Sequence, residues 1–283
     1  MPRLAIMINA ARTLCRLLAS ACLVAAGALP AAAQSTMPDV DDIIKAEVLT
    51  GWQTRTGTHM AALRLTLMPG WKTYWRSPGA AGIPPQFNWS GSGNLKALEV
   101  HWPAPEVFLT AGARTLGYSK QVVLPVEITP SQKGQTIRLR GEINLGVCEE
   151  ICIPATVNVD AQIAGKGASD PAIHGALARR PVAASKAGVG TVTCSVTPIS
   201  DGVQMTTRIP MAQLGNREIA VIEAGNPEVW VSQPEVHREG NTLVATADFV
   251  PPRRGAYMLD RSAVRITVLS GPMAIDIAGC QGS

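Results

Sequence analysis

Outside its N-terminus the chain has no apolar run near the ~20 residues that cross a bilayer as a helix, although 46% of its 283 residues are hydrophobic. Histidine is scarce as well. His59, His101, His174 and His237 are scattered, and no cysteine pair beside them repeats the spacing of a zinc site. Segments of 10–15 residues with helical periodicity do not alternate with strands, which argues against a parallel α/β sheet. Gly79, Gly82, Pro84 and Pro85 read as turn punctuation and not as a phosphate cradle, and no Ser/His/Asp order suggests nucleophilic catalysis. Aromatic residues are few, yet six are Trp and five of those fall between Trp52 and Trp102. The first half therefore carries the heavier core. In it, Trp71, Tyr74 and Trp75 read as core or loop anchors.

A lasting excess of positive charge is missing too. The whole chain has 25 Lys+Arg against 21 Asp+Glu. Arg3, Arg12 and Arg16 belong to a basic N-terminal region, followed by the apolar, Ala-rich stretch Leu17 to Leu29 and by Ala31-Ala32-Ala33 before Gln34. That order is the pattern of a cleaved secretory signal over residues 1–33. The remainder would carry 22 basic and 21 acidic residues, so nucleic-acid binding loses its electrostatic support. Export to the periplasm is the expected destination.

What remains reads as strand and turn. "HMAALRLTLMPG", "QVVLPVEI", "TIRLRGEINLGV" and "ATVNVDAQI" alternate apolar with polar residues until Gly165. A stretch rich in Gly, Ala and Pro follows, with room for one short helix near Pro171 to Arg179. From about Thr191 the strand pattern resumes in "TVTCSVTPI", "GVQMTTRIP", "EIAVIEAG", "TLVATADFV" and "AVRITVLSG". Many short strands at this spacing predict an all-β chain of two tandem β-sandwiches, residues 34–165 and 191–283, joined by a linker over 166–190.

Cys15 and Cys22 would leave with the signal, so four cysteines matter: Cys148, Cys152, Cys194 and Cys280. Three pairings are possible, and spacing favours Cys148 with Cys152 and Cys194 with Cys280, one bond per sandwich. The second bond would close a loop of about 87 residues, worth about 4–5 kcal/mol in the chain-entropy model. It reads as a structural staple.

The first pair lies in "GVCEEICIP". Ile137, Leu139, Ile143, Leu145 and Val147 share one parity, as do Ile153, Ala155, Val157 and Val159 across the turn, which implies a hairpin. Cys148 and Cys152 carry the polar parity, so both thiols are expected to project away from the core. Facing residues of a hairpin have Cα atoms roughly 4.5–5.5 Å apart, within reach of a disulfide. A bond over so short a loop restrains the unfolded chain little. A static clasp and a soft Cu(I) site stay open beside a redox couple, which this placement favours. Glu149 and Glu150 sit where negative charge raises a thiol's pKa, and they tilt a redox pair toward donating electrons.

"PGWKTYWRSPGAAGIPPQFNW", "WPAPEVF", "LGYSKQVVLPVEI" and "CEEICIPATVNV" resemble, in that order, the N-terminal periplasmic region of the DsbD/ScsB thiol:disulfide interchange proteins. The resemblance spans roughly residues 51–163, and Thr191 to Cys280 is similar in position to the second periplasmic part of ScsB-like members. It implies immunoglobulin-like sandwiches and a catalytic Cys148–Cys152 couple, with Cys152 entering mixed disulfides and Cys148 resolving them. A cap loop at about 110–118 is implied as well, with Leu116 and Tyr118 over the pair. The implied partners are a transmembrane electron donor and periplasmic thioredoxin-like or disulfide-bonded clients, with no cofactor. Since the sequence ends at Ser283 without a membrane domain, a separate membrane protein is expected to reload the pair. Cytochrome maturation, disulfide isomerisation and copper tolerance stay open as uses. The competing reading is a non-catalytic β-sandwich module that binds a partner or copper, its disulfides purely structural.

Overall fold

The computed structural model describes residues 38–79, 81–110, 113–253 and 257–282; the expected signal and its cleavage site lie outside them. After a single turn α1 (Val40–Ile43), the first half comprises ten strands. These are β1 (Ile44–Gln53), β2 (His59–Leu67), β3 (Lys72–Tyr74), β4 (Gln86–Asn88) and β5 (Leu95–Val100), then β6 (Glu106–Thr110), β7 (Ala113–Ser119), β8 (Gln121–Pro130), β9 (Ile137–Cys148) and β10 (Cys152–Ile163). One sheet runs β1-β2-β8-β5 and the other β10-β9-β3-β7-β6, with β4 added along β9.

Alternation in the sequence becomes the two faces of these sheets. On β9, Ile137, Leu139, Ile143, Leu145 and Val147 are buried, while Arg138, Arg140, Glu142 and Asn144 are exposed. On "WKTYW", Trp71, Thr73 and Trp75 turn inward, and both indoles join the core beside Leu63, Leu124 and Leu145. The β9–β10 hairpin holds unbroken register from Ile137↔Ile163 to Cys148↔Cys152. A slip by one residue would turn its whole apolar set to solvent.

Residues 166–190 carry the one short helix expected there and pack against the sandwiches. Helix α2 (Pro171–Ala178) starts at Asp170, whose Oδ1 accepts hydrogen bonds from the N–H groups of Ala172 (2.7 Å) and Ile173 (3.3 Å). Pro171 occupies the first helical position, where its missing N–H costs nothing. Ile173 and Ala176 are buried against Met60, Ala62 and Val123 of β2 and β8. Next, β11 (Val182–Ala183) already pairs in parallel with a strand of the second half.

That half continues with β12 (Thr193–Ile199), β13 (Gly202–Pro210), β14 (Ile219–Glu223), β15 (Trp230–Val231) and β16 (Glu235–Glu239), then β17 (Thr242–Val250), β18 (Arg265–Ser270), β19 (Met273–Ala278) and β20 (Gln281–Gly282). Its sheets run β11-β19-β18-β14 and β15-β17-β13-β12-β20, with β16 also on β17. The architecture is all-β, two immunoglobulin-like sandwiches in tandem. Cys194 and Cys280 are bonded across 86 positions, with Cys194 wholly buried in the second core.

Asp39–Ser283 form one compact unit. Val221, Leu269 and Ala274 of the second half join the first half's buried cluster. Arg76 reaches across to Glu223 with two hydrogen bonds of 3.1 and 2.9 Å and to the Thr267 hydroxyl at 3.2 Å. Its guanidinium also lies 3.9 Å from the Trp75 ring centroid.

Candidate redox site

β9 and β10 bring Cys148 and Cys152 face to face, with Cα atoms 4.1 Å apart and the sulfurs bonded. Glu149, Glu150 and Ile151 make the turn, and all three are exposed, Ile151 at 68%. The expected parity holds, because Val147 faces the core and the cysteines face the other way. Their exposure differs from expectation. Cys152 is open to solvent, but Cys148 is buried at 1%.

The cover over Cys148 is Tyr74. β3 pairs with β9 at Lys72↔Cys148 and Thr73↔Val147. Thr73 turns inward and donates its hydroxyl to the Gly146 carbonyl at 2.9 Å. Tyr74 therefore lies on the cysteine face, and its hydroxyl is 2.7 Å from Sγ of Cys148 and 3.1 Å from Sγ of Cys152. Bonded sulfurs carry no proton, so the phenol O–H is the donor. Burial raises the Tyr74 pKa above its ordinary value, which keeps that proton in place at neutral pH.

Two glycines make room for the ring. A Cβ on Gly146 would come within 2.8 Å of Ile83 Cβ and 3.1 Å of the Tyr74 ring; one on Gly82 would meet Pro78 at 2.3 Å and the ring at 2.8 Å. The stretch that reads in sequence as turn punctuation thus folds over Tyr74 and closes the outer face beside the disulfide.

Leu116 and Tyr118 do not cap the pair. Tyr118 is the cross-strand partner of Thr73 and shares its inward face. Its hydroxyl donates to the Pro103 carbonyl at 2.8 Å, and both residues belong to the main core. Both sit on β7, one strand beyond the β3 that carries the cover, and two positions of inward parity cannot reach the outer face; residues 111–112 of the expected cap loop lie outside the described residues. Tyr74 was legible only as one member of an aromatic run. The alternation of "WKTYW" places it on the cysteines' side once β3 is known to lie next to β9, and pairing of strands so distant in sequence is not written in either segment.

Residues 41–163 match the family model described as "Thiol:disulfide interchange protein DsbD, N-terminal". The N-terminal periplasmic domain of ScsB from Proteus mirabilis is similar over 88% of this chain and 96% of its own, at 26% identity and a TM-score of 0.64. Residues 41–163 belong to the DsbD/ScsB N-terminal family. The N-terminal domain of Neisseria meningitidis DsbD, in its reduced form, also aligns, at 14% identity over 48% of this chain and 94% of its own; its TM-score of 0.28 is too low to bear on the fold. No curated protein matches the chain. The DsbD/ScsB region contains the whole hairpin and all of the Tyr74 cover. The ScsB likeness extends over most of the second sandwich, which the family model does not reach. Within the family's general chemistry, thiol:disulfide interchange, the arrangement offers one accessible sulfur and one shielded sulfur under a hydrogen-bond donor.

Proposed function

We propose that the chain is a periplasmic thiol–disulfide exchange protein whose reactive couple is Cys148–Cys152. The observation that carries this reading is the unequal exposure of the two sulfurs. An incoming thiolate can line up with Cys152 Sγ from solvent, whereas Cys148 Sγ is closed off by Tyr74. Attack on Cys152 forms a mixed disulfide and expels Cys148 as thiolate. In the reverse direction Cys148 thiolate attacks Cys152 of the mixed disulfide and releases the client thiolate. Cys152 is then the partner-facing cysteine and Cys148 the resolving one. Electrons come from a transmembrane donor of the DsbD/ScsB type and pass to thioredoxin-like or disulfide-bonded clients. Cys194–Cys280, buried away from solvent on the Cys194 side, serves as the static staple of the second sandwich.

Replacing Cys148 by Ala leaves Cys152 unable to resolve, so the variant should accumulate a mixed disulfide through Cys152 with a periplasmic client. Cys152→Ala should not. Failure of Cys148→Ala to trap any client would count against exchange. In glutathione buffers the Cys148–Cys152 bond should open at a potential above about −300 mV, the region of labile disulfides. A value far below it would mark a permanent clasp.

A further inference from the structure

Beyond the cysteines and the tyrosine, one charge stands in register with the couple. Lys72 is the cross-strand partner of Cys148 on the same outer face, since its neighbour Thr73 pairs with Val147 and points inward. Directly opposed side chains on one face of a sheet have Cβ atoms about 4.5–5.5 Å apart. A lysine carries its charge on a flexible four-carbon stem that spans such a gap easily. In the oxidised state the Lys72 ammonium lies over the Phe108 ring, 5.1 Å from its centroid. Phe108 belongs to the same outer face on β6, two strands away, so the aromatic ring keeps the ammonium close to the sheet.

Among the described residues, the turn and β6 bring carboxylates to this end of the sheet, and Lys120 directly follows Ser119, the other cross-strand partner of Lys72. Glu149 and Glu150 come from the turn, and Glu106 on β6 accepts hydrogen bonds from the Ser119 N–H (3.1 Å) and hydroxyl (2.9–3.0 Å). Tyr74 contributes a neutral O–H. Carboxylates alone would oppose formation of a thiolate here.

We propose that Lys72 is a positioning residue of the couple, its ammonium stabilising the Cys148 thiolate each time the disulfide opens. The inference rests on the exchange reading and deepens it. When a donor thiolate attacks Cys152 Sγ, a new S–S bond forms, the Cys148–Cys152 bond breaks, and its electron pair leaves on Cys148 Sγ. That sulfur becomes an anion beside Lys72 and under the Tyr74 O–H. No proton needs to arrive, and the donor's charge is replaced by the Cys148 charge. A stabilised thiolate is a better leaving group, and the effect offsets the Glu149 and Glu150 fields.

The test is a thiol titration that requires no client. In a Cys152→Ser background, the Cys148 thiolate is followed by ultraviolet absorbance and by peptide-resolved alkylation as a function of pH. Lys72→Met keeps the stem and removes the charge; it should raise the midpoint by about one pH unit, a tenfold loss of thiolate below it. Lys72→Arg should stay within a few tenths of the parent. With intact cysteines, Lys72→Met should open its disulfide with a small thiol about tenfold more slowly, and Lys72→Arg at the parental rate. Superposable titrations of the parent and Lys72→Met would overturn the proposal. So would equal displacement by Met and Arg, since that would show a packing effect. Trapping through Cys148→Ala is scored separately, so the exchange reading and the role of Lys72 can fail independently. Circular dichroism on each variant verifies the fold against which the midpoint is read.

Discussion

At the scale of single residues, the site turns on what covers one sulfur. Tyr74 combines a buried ring with a hydroxyl shared between both sulfurs. Tyr74→Phe removes only the donor and should lower stability by about 1 kcal/mol in urea unfolding while raising the pH midpoint of the Cys148 thiol. Tyr74→Ala removes the cover itself. It should cost about 3–5 kcal/mol and make Cys148 as reactive toward alkylating agents as Cys152 after reduction. Gly146→Ala tests the same contact from the other side. Its methyl would collide with Ile83 and crowd the tyrosine ring, an overpacking expected to cost about 1–3 kcal/mol. The outward parity of both cysteines was legible in the alternation of β9 and β10. The burial of one of them was not, because the covering ring arrives from β3, more than seventy positions away.

At the scale of elements, the β9–β10 hairpin is fastened far from the cysteines by Asp160, which accepts hydrogen bonds from both Arg138 (2.8 Å) and Arg140 (2.9 Å). Hydrogen bonds from these two guanidiniums, Arg138 first, hold the Asp160 carboxyl down at about 2, below its ordinary 3.8. A folded pKa depressed in this way contributes stability that is present above about pH 4 and lost as pH falls through 2. Thermal melts should therefore show a steeper decline between pH 4 and 2 for the natural chain than for Asp160→Asn. Salt should narrow the difference, since the cluster is exposed. The second sandwich depends on a different fastening. Cys194→Ala with Cys280→Ala should cost about 2–5 kcal/mol, measured by denaturant unfolding, and leave the Cys148–Cys152 equilibrium with glutathione unchanged. That pairing was legible from cysteine spacing. The structured course of residues 166–190 was legible only at α2, where Asp170-Pro171 marks a helix start; β11 has two residues and no pattern of its own.

Across the whole molecule, the sandwiches are held by a shared apolar patch and by Arg76. The guanidinium is 12% exposed and its partner Glu223 24%, so this ion pair is screened less than a surface pair. Removing Glu223 leaves Arg76 with only the longer ion pair to Asp276 (3.9 Å), and removing Arg76 takes the close cation from a partly buried Glu223. A double-mutant cycle with Arg76→Ala and Glu223→Ala should give a coupling of about 1–2 kcal/mol in equilibrium unfolding. Arg76 follows Tyr74 by two positions and opens the segment that folds over the tyrosine ring. The grip on the second sandwich and the cover over the disulfide therefore belong to one short stretch of chain.

Local order in the sequence was enough to determine the strand content, the tandem sandwiches and the hairpin that presents Cys148 and Cys152. These follow from period-two alternation, turn residues and spacing, which act between neighbours along the chain. Tertiary structure alone decided that Tyr74 and not Tyr118 lies over the couple, that Lys72 stands beside Cys148, and that the supposed linker packs against both halves. Each of those depends on which distant strands lie side by side, and that is settled by the burial of whole faces together.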